Sequence, residues 1–216
     1  MLHRIFTYFR TMSVVQGLLF GSAMMFFIGP VFFYLLQTSL EHGTKSGIAA
    51  AIGIVMSDAI VIILCYFWAS KLFENGTQQN EFWLAVVGGI ILVVFGLGYI
   101  FKPKLPGATT MTVKKKRDYA TFFTKAFLIN FVNPFVFMVW IAMIGKAKLS
   151  YDTEYEVVMF LCAALLGIIT TDTLKVFGSK YLRRVIEPHF LIKLYRAIGI
   201  LLLAFSARLF YHAFTL

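Results

Sequence analysis

Apolar residues along this chain come in long unbroken stretches rather than at helical or strand spacing. Six stretches stand out, at about 14–37, 46–70, 82–101, 121–144, 157–177 and 194–212. Each holds about 20 residues or more, enough to cross a hydrocarbon core of about 30 Å as a helix. An open sheet edge cannot be satisfied in lipid, so all six are expected to be helical.

Composition sharpens this picture. The 216 residues are 60% hydrophobic and only 14% charged, against about 45–50% and about 25% in an average soluble domain. The chain reads as an all-α integral membrane protein. Arg4 and Arg10 precede the first apolar run, as in a signal peptide. That run is too long for a signal-peptide core, so residues 1–13 read as an interfacial lead-in to a retained helix.

The net charge of +10 does not point to nucleic acid, because the basic residues sit between the apolar runs. Thirteen of them fall on one side of the expected membrane, including Lys45, Lys102, Lys104 and the run Lys114–Arg117. Six fall on the other, including Arg4, Arg10 and Lys71. The richer side is cytoplasmic by the positive-inside rule. Loop 102–120 then lies in the cytoplasm and both termini lie outside. The KKKR run reads as an anchor near anionic lipid. Cys65 and Cys162 lie within apolar runs and read as packing residues.

The two halves of the chain echo each other. At a shift of 114 residues, GIAAAIGIVMSD ending on Asp58 lies over LCAALLGIITTD ending on Asp172. At 104, Gly29-Pro30 lies over Asn133-Pro134. At 110, GIILVVF from Gly89 lies over GILLLAF from Gly199. Residues 1–101 and 121–216 thus read as two three-helix repeats joined by a basic linker, 102–120. An odd number of spans inverts the second repeat, a plan common among secondary transporters.

Asp58 and Asp172 carry the candidate chemistry. A carboxylate deep in a membrane costs at least about 2.5–3.5 kcal/mol. A proton, a cation or a substrate ammonium relieves that cost, so each aspartate is a candidate to exchange one for another. Lys175 follows Asp172 by three residues and shares its helix face, so the two can pair, or Lys175 can snorkel to the surface. The equivalent position in the first half is Val61. Pro30 and Pro134 fall inside apolar runs and should break or kink their helices. Gly29 eases the first break. Asn133 brings an amide to the second, for freed backbone groups or for a substrate. Backbone N–H groups exposed at such breaks favour an anionic group. Thr170 and Thr171 flank Asp172 and either line the site or back-bond within the helix. No metal-ligand spacing, Ser/His/Asp set or phosphate loop is present. The chain is expected to be no enzyme and to need no cofactor.

A first span with Gly29-Pro30, then SLEHGTKSGIAAAIGIVMSD, then a fourth span with Asn133-Pro134, resembles the LysE/RhtB family of exporters. The resemblance covers nearly the whole chain. It implies export of amino acids or related small metabolites across the bacterial inner membrane, driven by protons. It also implies that Gly29, Pro30, Asp58, Asn133, Pro134 and Asp172 belong to the transport core. Ile28 stands where the family usually has the first proline of PGP, and Phe135 where a lysine often follows NP. An inorganic-cation exporter or channel of the same superfamily is the alternative. The expected partners are a small-molecule substrate, protons and the bilayer. Gly17 and Gly21 have the spacing of a helix-pairing face, a weak signal for a homodimer.

Overall fold

The computed structural model describes residues 2–26, 29–75, 78–101, 118–181 and 188–215. Every regular element among them is helical. Pro103, Pro106, Gly107 and the run Lys114–Arg117 lie outside the described residues.

Helix α1 runs from Leu2 to Ala23, so the N-terminal lead-in continues unbroken into the first apolar run. A short 3-10 turn, Met24–Phe26, follows. Helix α2, Pro30–His42, then starts afresh with proline in its first turn. A proline there loses no hydrogen bond, because the first N–H groups of a helix have no partner anyway. Gly29 before it is extended, with φ −153° and ψ −172°, as residues preceding proline tend to be.

Helix α2 closes on Gly43, whose φ of +88° suits glycine alone. The next helix, α3, begins at once and spans Thr44–Asn75. Helix α4 spans Gln78–Phe101.

Asp118 caps helix α5, Tyr119–Phe131, and helix α6 follows as Pro134–Ser150. The two are bent by 67° at the Asn133-Pro134 break. Helix α7, Glu154–Phe177, starts with a reciprocal capping box between Thr153 and Glu156. Helix α8 spans Pro188–Thr215. Two of the six expected stretches are thus each divided by a proline, as the missing N–H and the ring clash require.

Thr44–Phe67, Glu154–Phe177 and Tyr195–Thr215 are long and apolar enough to cross a membrane. The bent pair α5–α6 makes a fourth if counted as one span, and Met12–Ala23 and Ala85–Phe101 are shorter apolar helices. Large apolar side chains face outward. Leu19, Phe67, Val94, Leu166 and Phe177 are each more than half exposed. A soluble monomer rarely shows such a surface, whereas lipid covers it at no cost. Ser57, Asp58, Asn130, Asp172 and Lys175 are buried instead.

The chain forms two compact units, and each draws on both halves of the sequence. The first comprises Met1–Cys65 with Met111–Arg184, and the second Tyr66–Thr110 with Val185–Leu216. In the first unit, Leu35, Ala50, Ala51, Ile54, Ala126 and Val176 form a core joining α2, α3, α5 and α7. Small residues there let backbones touch. A β-carbon at Gly17 would run into the carbonyl of Phe160, and one at Gly21 into that of Ala164. The helix-pairing spacing of these glycines is therefore used within the chain, between α1 and α7. A β-carbon at Gly53 would strike the carbonyl of Phe123 on α5. One at Gly167 would lie 2.8 Å from the carbonyl of Leu18 on α1.

The second unit pairs α4 with α8. Here Gly89 abuts the ring of Phe210, and Gly199 abuts Ile100. Both pairs relate to each other by the same shift of 110 residues, since 89 maps to 199 and 100 to 210.

Candidate functional site

Gly29, Pro30, Asp58, Asn133, Pro134, Asp172 and Lys175 all lie in the first unit. Asp58 is on α3 and is 6% exposed. Its Oδ1 accepts two hydrogen bonds, from Asn130 Nδ2 at 2.9 Å and from Trp140 Nε1 at 3.0 Å. Asn130 lies one residue before the end of α5, and Trp140 two turns into α6. The proline break between them thus lets one bent span grip the carboxylate from both of its arms. Asn130 Nδ2 also donates to the Ile54 carbonyl at 3.3 Å, which fixes the amide. All the direct donors to Asp58 are neutral, so its charge stays uncompensated at contact range.

Asp172 is on α7, 5% exposed. Its Oδ1 accepts from Lys175 Nζ at 2.9 Å. Lys175 is itself 6% exposed, so it does not snorkel. Its ammonium also sits 5.7 Å from the centre of the Phe32 ring, in the first turn of α2, within cation–π range. Asp172 and Lys175 lie near enough to Asp58 for their charges to act on it. The two aspartates that the sequence relates by a shift are thus neighbours electrostatically.

Each carboxylate uses only one oxygen. Oδ2 of Asp58 and Oδ2 of Asp172 make no hydrogen bond to the described residues. Among those residues, Ser57 Oγ is the one wholly enclosed side-chain polar atom without a partner. A buried hydroxyl without a partner next to a buried carboxylate is a costly arrangement.

The two helix breaks differ. At the start of α6, Asn133 is buried and its Oδ1 accepts from Phe135 N at 3.1 Å. Of its two expected roles, it fills the one toward freed backbone. At the start of α2, Gly29 offers no side-chain cap. Among the described residues, none lies within 4 Å of a β-carbon added at Gly29, which leaves space there beside the break. Thr170 and Thr171 donate back to the carbonyls of Leu166 and Ile168. Among the described residues, no three His, Cys, Asp or Glu side chains gather in one place.

Sequence reasoning passed over Asn130, Trp140, Ser57 and Phe32. Asn130 carried a visible signal, an amide inside the apolar run FLINF. Trp140 carried none, because a tryptophan in an apolar run reads as packing until its N–H is seen to point at Asp58.

A family model described as LysE type translocator matches residues 22–213. The chain belongs to the LysE type translocator family. No solved structure matches it. This LysE type translocator is accordingly a multi-pass membrane transporter, an exporter in general terms. The matched range takes in both proline breaks, both aspartates and Lys175.

Proposed function

We propose that the chain is a proton-coupled exporter of amino acids or related small metabolites across the bacterial inner membrane. One observation carries this reading. Asp58 is buried, accepts only from neutral donors and leaves Oδ2 without a hydrogen bond to the described residues. Such a group needs a cation to relieve its charge, and a proton and a substrate ammonium are interchangeable candidates. If they bind in turn, export of one is coupled to entry of the other. The open space beside Gly29 and the uncapped first turn of α2 suit the substrate's carboxylate.

In this reading the chain has six spans in two inverted repeats, 1–101 and 121–216, with the linker 102–120 cytoplasmic and both termini outside. Reciprocal packing supports the repeat. Gly53 of the first half receives α5 of the second, while its counterpart Gly167 receives α1 of the first. Gly89 against Phe210 and Gly199 against Ile100 repeat that reciprocity at one common shift. Alternating access would come from one half rocking against the other around the aspartates.

The test is uptake of a panel of labelled amino acids into inside-out vesicles with an acidified interior. Native chain should accumulate at least one of them, and Asp58→Asn should not. Accumulation that ignores the gradient would remove the proton from the mechanism. Accumulation of none, by folded protein, would remove the amino acid.

A further inference from the structure

We propose that Lys175 sets the charge class of the cargo. Its ammonium occupies Asp172 and so restricts this exporter to substrates with a single ammonium group, excluding dibasic amino acids. The inference rests on the amino-acid reading above.

The asymmetry of the two aspartates is the starting point. The residue three positions after Asp58 is Val61, fully buried and apolar. The residue three positions after Asp172 is Lys175, its Nζ 2.9 Å from Asp172 Oδ1, with both side chains 7% exposed. The one carboxylate has a built-in cation, and the other has none.

A built-in ammonium is hard to displace. A free amine arriving at Asp172 must compete with a group tethered one helical turn away, and tethering gives a high effective concentration. The displaced Lys175 would also lose its ion pair and its place over the Phe32 ring while still buried, which is strongly unfavourable for a charge. Asp172 is therefore closed to substrate cations. Asp58 is open to them, since Asn130 and Trp140 donate hydrogen bonds without supplying charge.

Charge counting gives the same answer. Two ionised carboxylates and one ammonium sum to one negative charge. One proton or one substrate ammonium neutralises the cluster. A substrate with a second ammonium finds no second anion, and an unpaired buried cation is rejected.

The experiment uses a matched pair of probes. L-norleucine and L-lysine have side chains of similar length, differing in the terminal ammonium. Transport of both is measured with the full chain in proteoliposomes: native, Lys175→Met, Lys175→Arg, and Asp172→Asn with Lys175→Met. Native and Lys175→Arg should prefer norleucine. Lys175→Met frees Asp172, and the norleucine-to-lysine preference should move toward lysine by about tenfold or more. The double variant, with neither charge, should return to the native preference. Lys175→Gln, which keeps a hydrogen bond to Asp172 without charge, carries the same expectation should the methionine variant fail to fold.

Lysine transported by the native chain as well as norleucine would overturn the inference, as would a preference unmoved in Lys175→Met. A parallel measurement separates this from the fate of amino-acid export itself. Melting temperatures of purified native protein and Lys175→Met are compared with n-butylammonium and 1,4-butanediammonium. Selective stabilisation of Lys175→Met by the diammonium supports the assignment even if no amino acid is transported. Equal response of the two proteins to both amines refutes it.

Discussion

Asp58 and Asp172 end nearly the same sequence and sit equally deep in the protein, yet they keep opposite company. Asp58 is held by an amide and an indole from the two arms of a bent helix. Asp172 is held by a lysine one turn along its own helix. Neutral donors orient a carboxylate without neutralising it, and a lysine does both. Two aspartates behind similar lead-ins thus sit in chemically different surroundings. In the proposed mechanism the first aspartate binds the exchanged cation and the second is closed by its lysine.

The largest expected effect follows from breaking the closed pair on one side only. Asp172→Asn leaves Lys175 buried without an anion, and losing one partner of a buried pair costs about 3–5 kcal/mol. Removing Lys175 as well should recover most of that loss, because well-packed neutral groups replace buried ion pairs at little cost. Thermal melting of the two variants in detergent gives the answer. The comparison breaks if Asp172→Asn melts like native protein. Asp58→Asn should behave in the opposite way. It keeps the acceptor for Asn130 and Trp140, so it should melt within about 1 kcal/mol of native while losing transport.

The next effect tests the grip on Asp58. Trp140→Phe removes the donor at 3.0 Å and leaves a buried carboxylate oxygen with Asn130 alone. A buried acceptor deprived of a partner costs about 1–3 kcal/mol. A urea or thermal melt of the variant reads this directly. A change below about 0.5 kcal/mol would mean that the indole packs beside Asp58 without holding it.

A third effect compares the halves at their crossing points. Gly53→Ala would drive a methyl into the carbonyl of Phe123, whereas Gly167→Ala would place one 2.8 Å from the carbonyl of Leu18. Overpacking of this kind costs about 1–3 kcal/mol. Gly53→Ala should be the more damaging of the two. The reverse order would show that α1 yields less readily than α5.

Much of this was legible in the sequence because its causes are local. Proline inside a long apolar run breaks or kinks the helix there, so the breaks at Pro30 and Pro134 are readable from two residues each. The repeated aspartates are readable from the shift that superposes their lead-ins. Their partners were not, because those partners are remote. Asn130 and Trp140 reach Asp58 across 72 and 82 residues of chain. Lys175 is buried with its ammonium also near Phe32, on a different helix, a contact that the local sequence does not reveal. Gly17 and Gly21 announced a close helix crossing, but nothing in their spacing tells a second copy from α7 of the same chain.

The smallest effect concerns a third aspartate, which serves as a baseline for the other two. Asp118 caps α5 in the open, outside the spanning helices. Its carboxylate accepts from Thr121 Oγ1 at 2.5 Å and from Thr121 N at 3.4 Å. These bonds, the hydroxyl first, hold its carboxyl below the ordinary value of 3.8. A carboxyl depressed in the folded state stabilises the fold above its unfolded pKa, and that contribution fades as pH falls through the folded one. Asp118→Asn keeps an acceptor but no charge. Native protein should therefore melt slightly above the variant at pH 7, and the gap should close below about pH 3.8. Melting temperatures of both between pH 7 and pH 3 decide the matter. Parallel curves would mean that exposure has screened the cap's charge away. Burial, and not hydrogen bonding alone, would then be what gives Asp58 and Asp172 their weight.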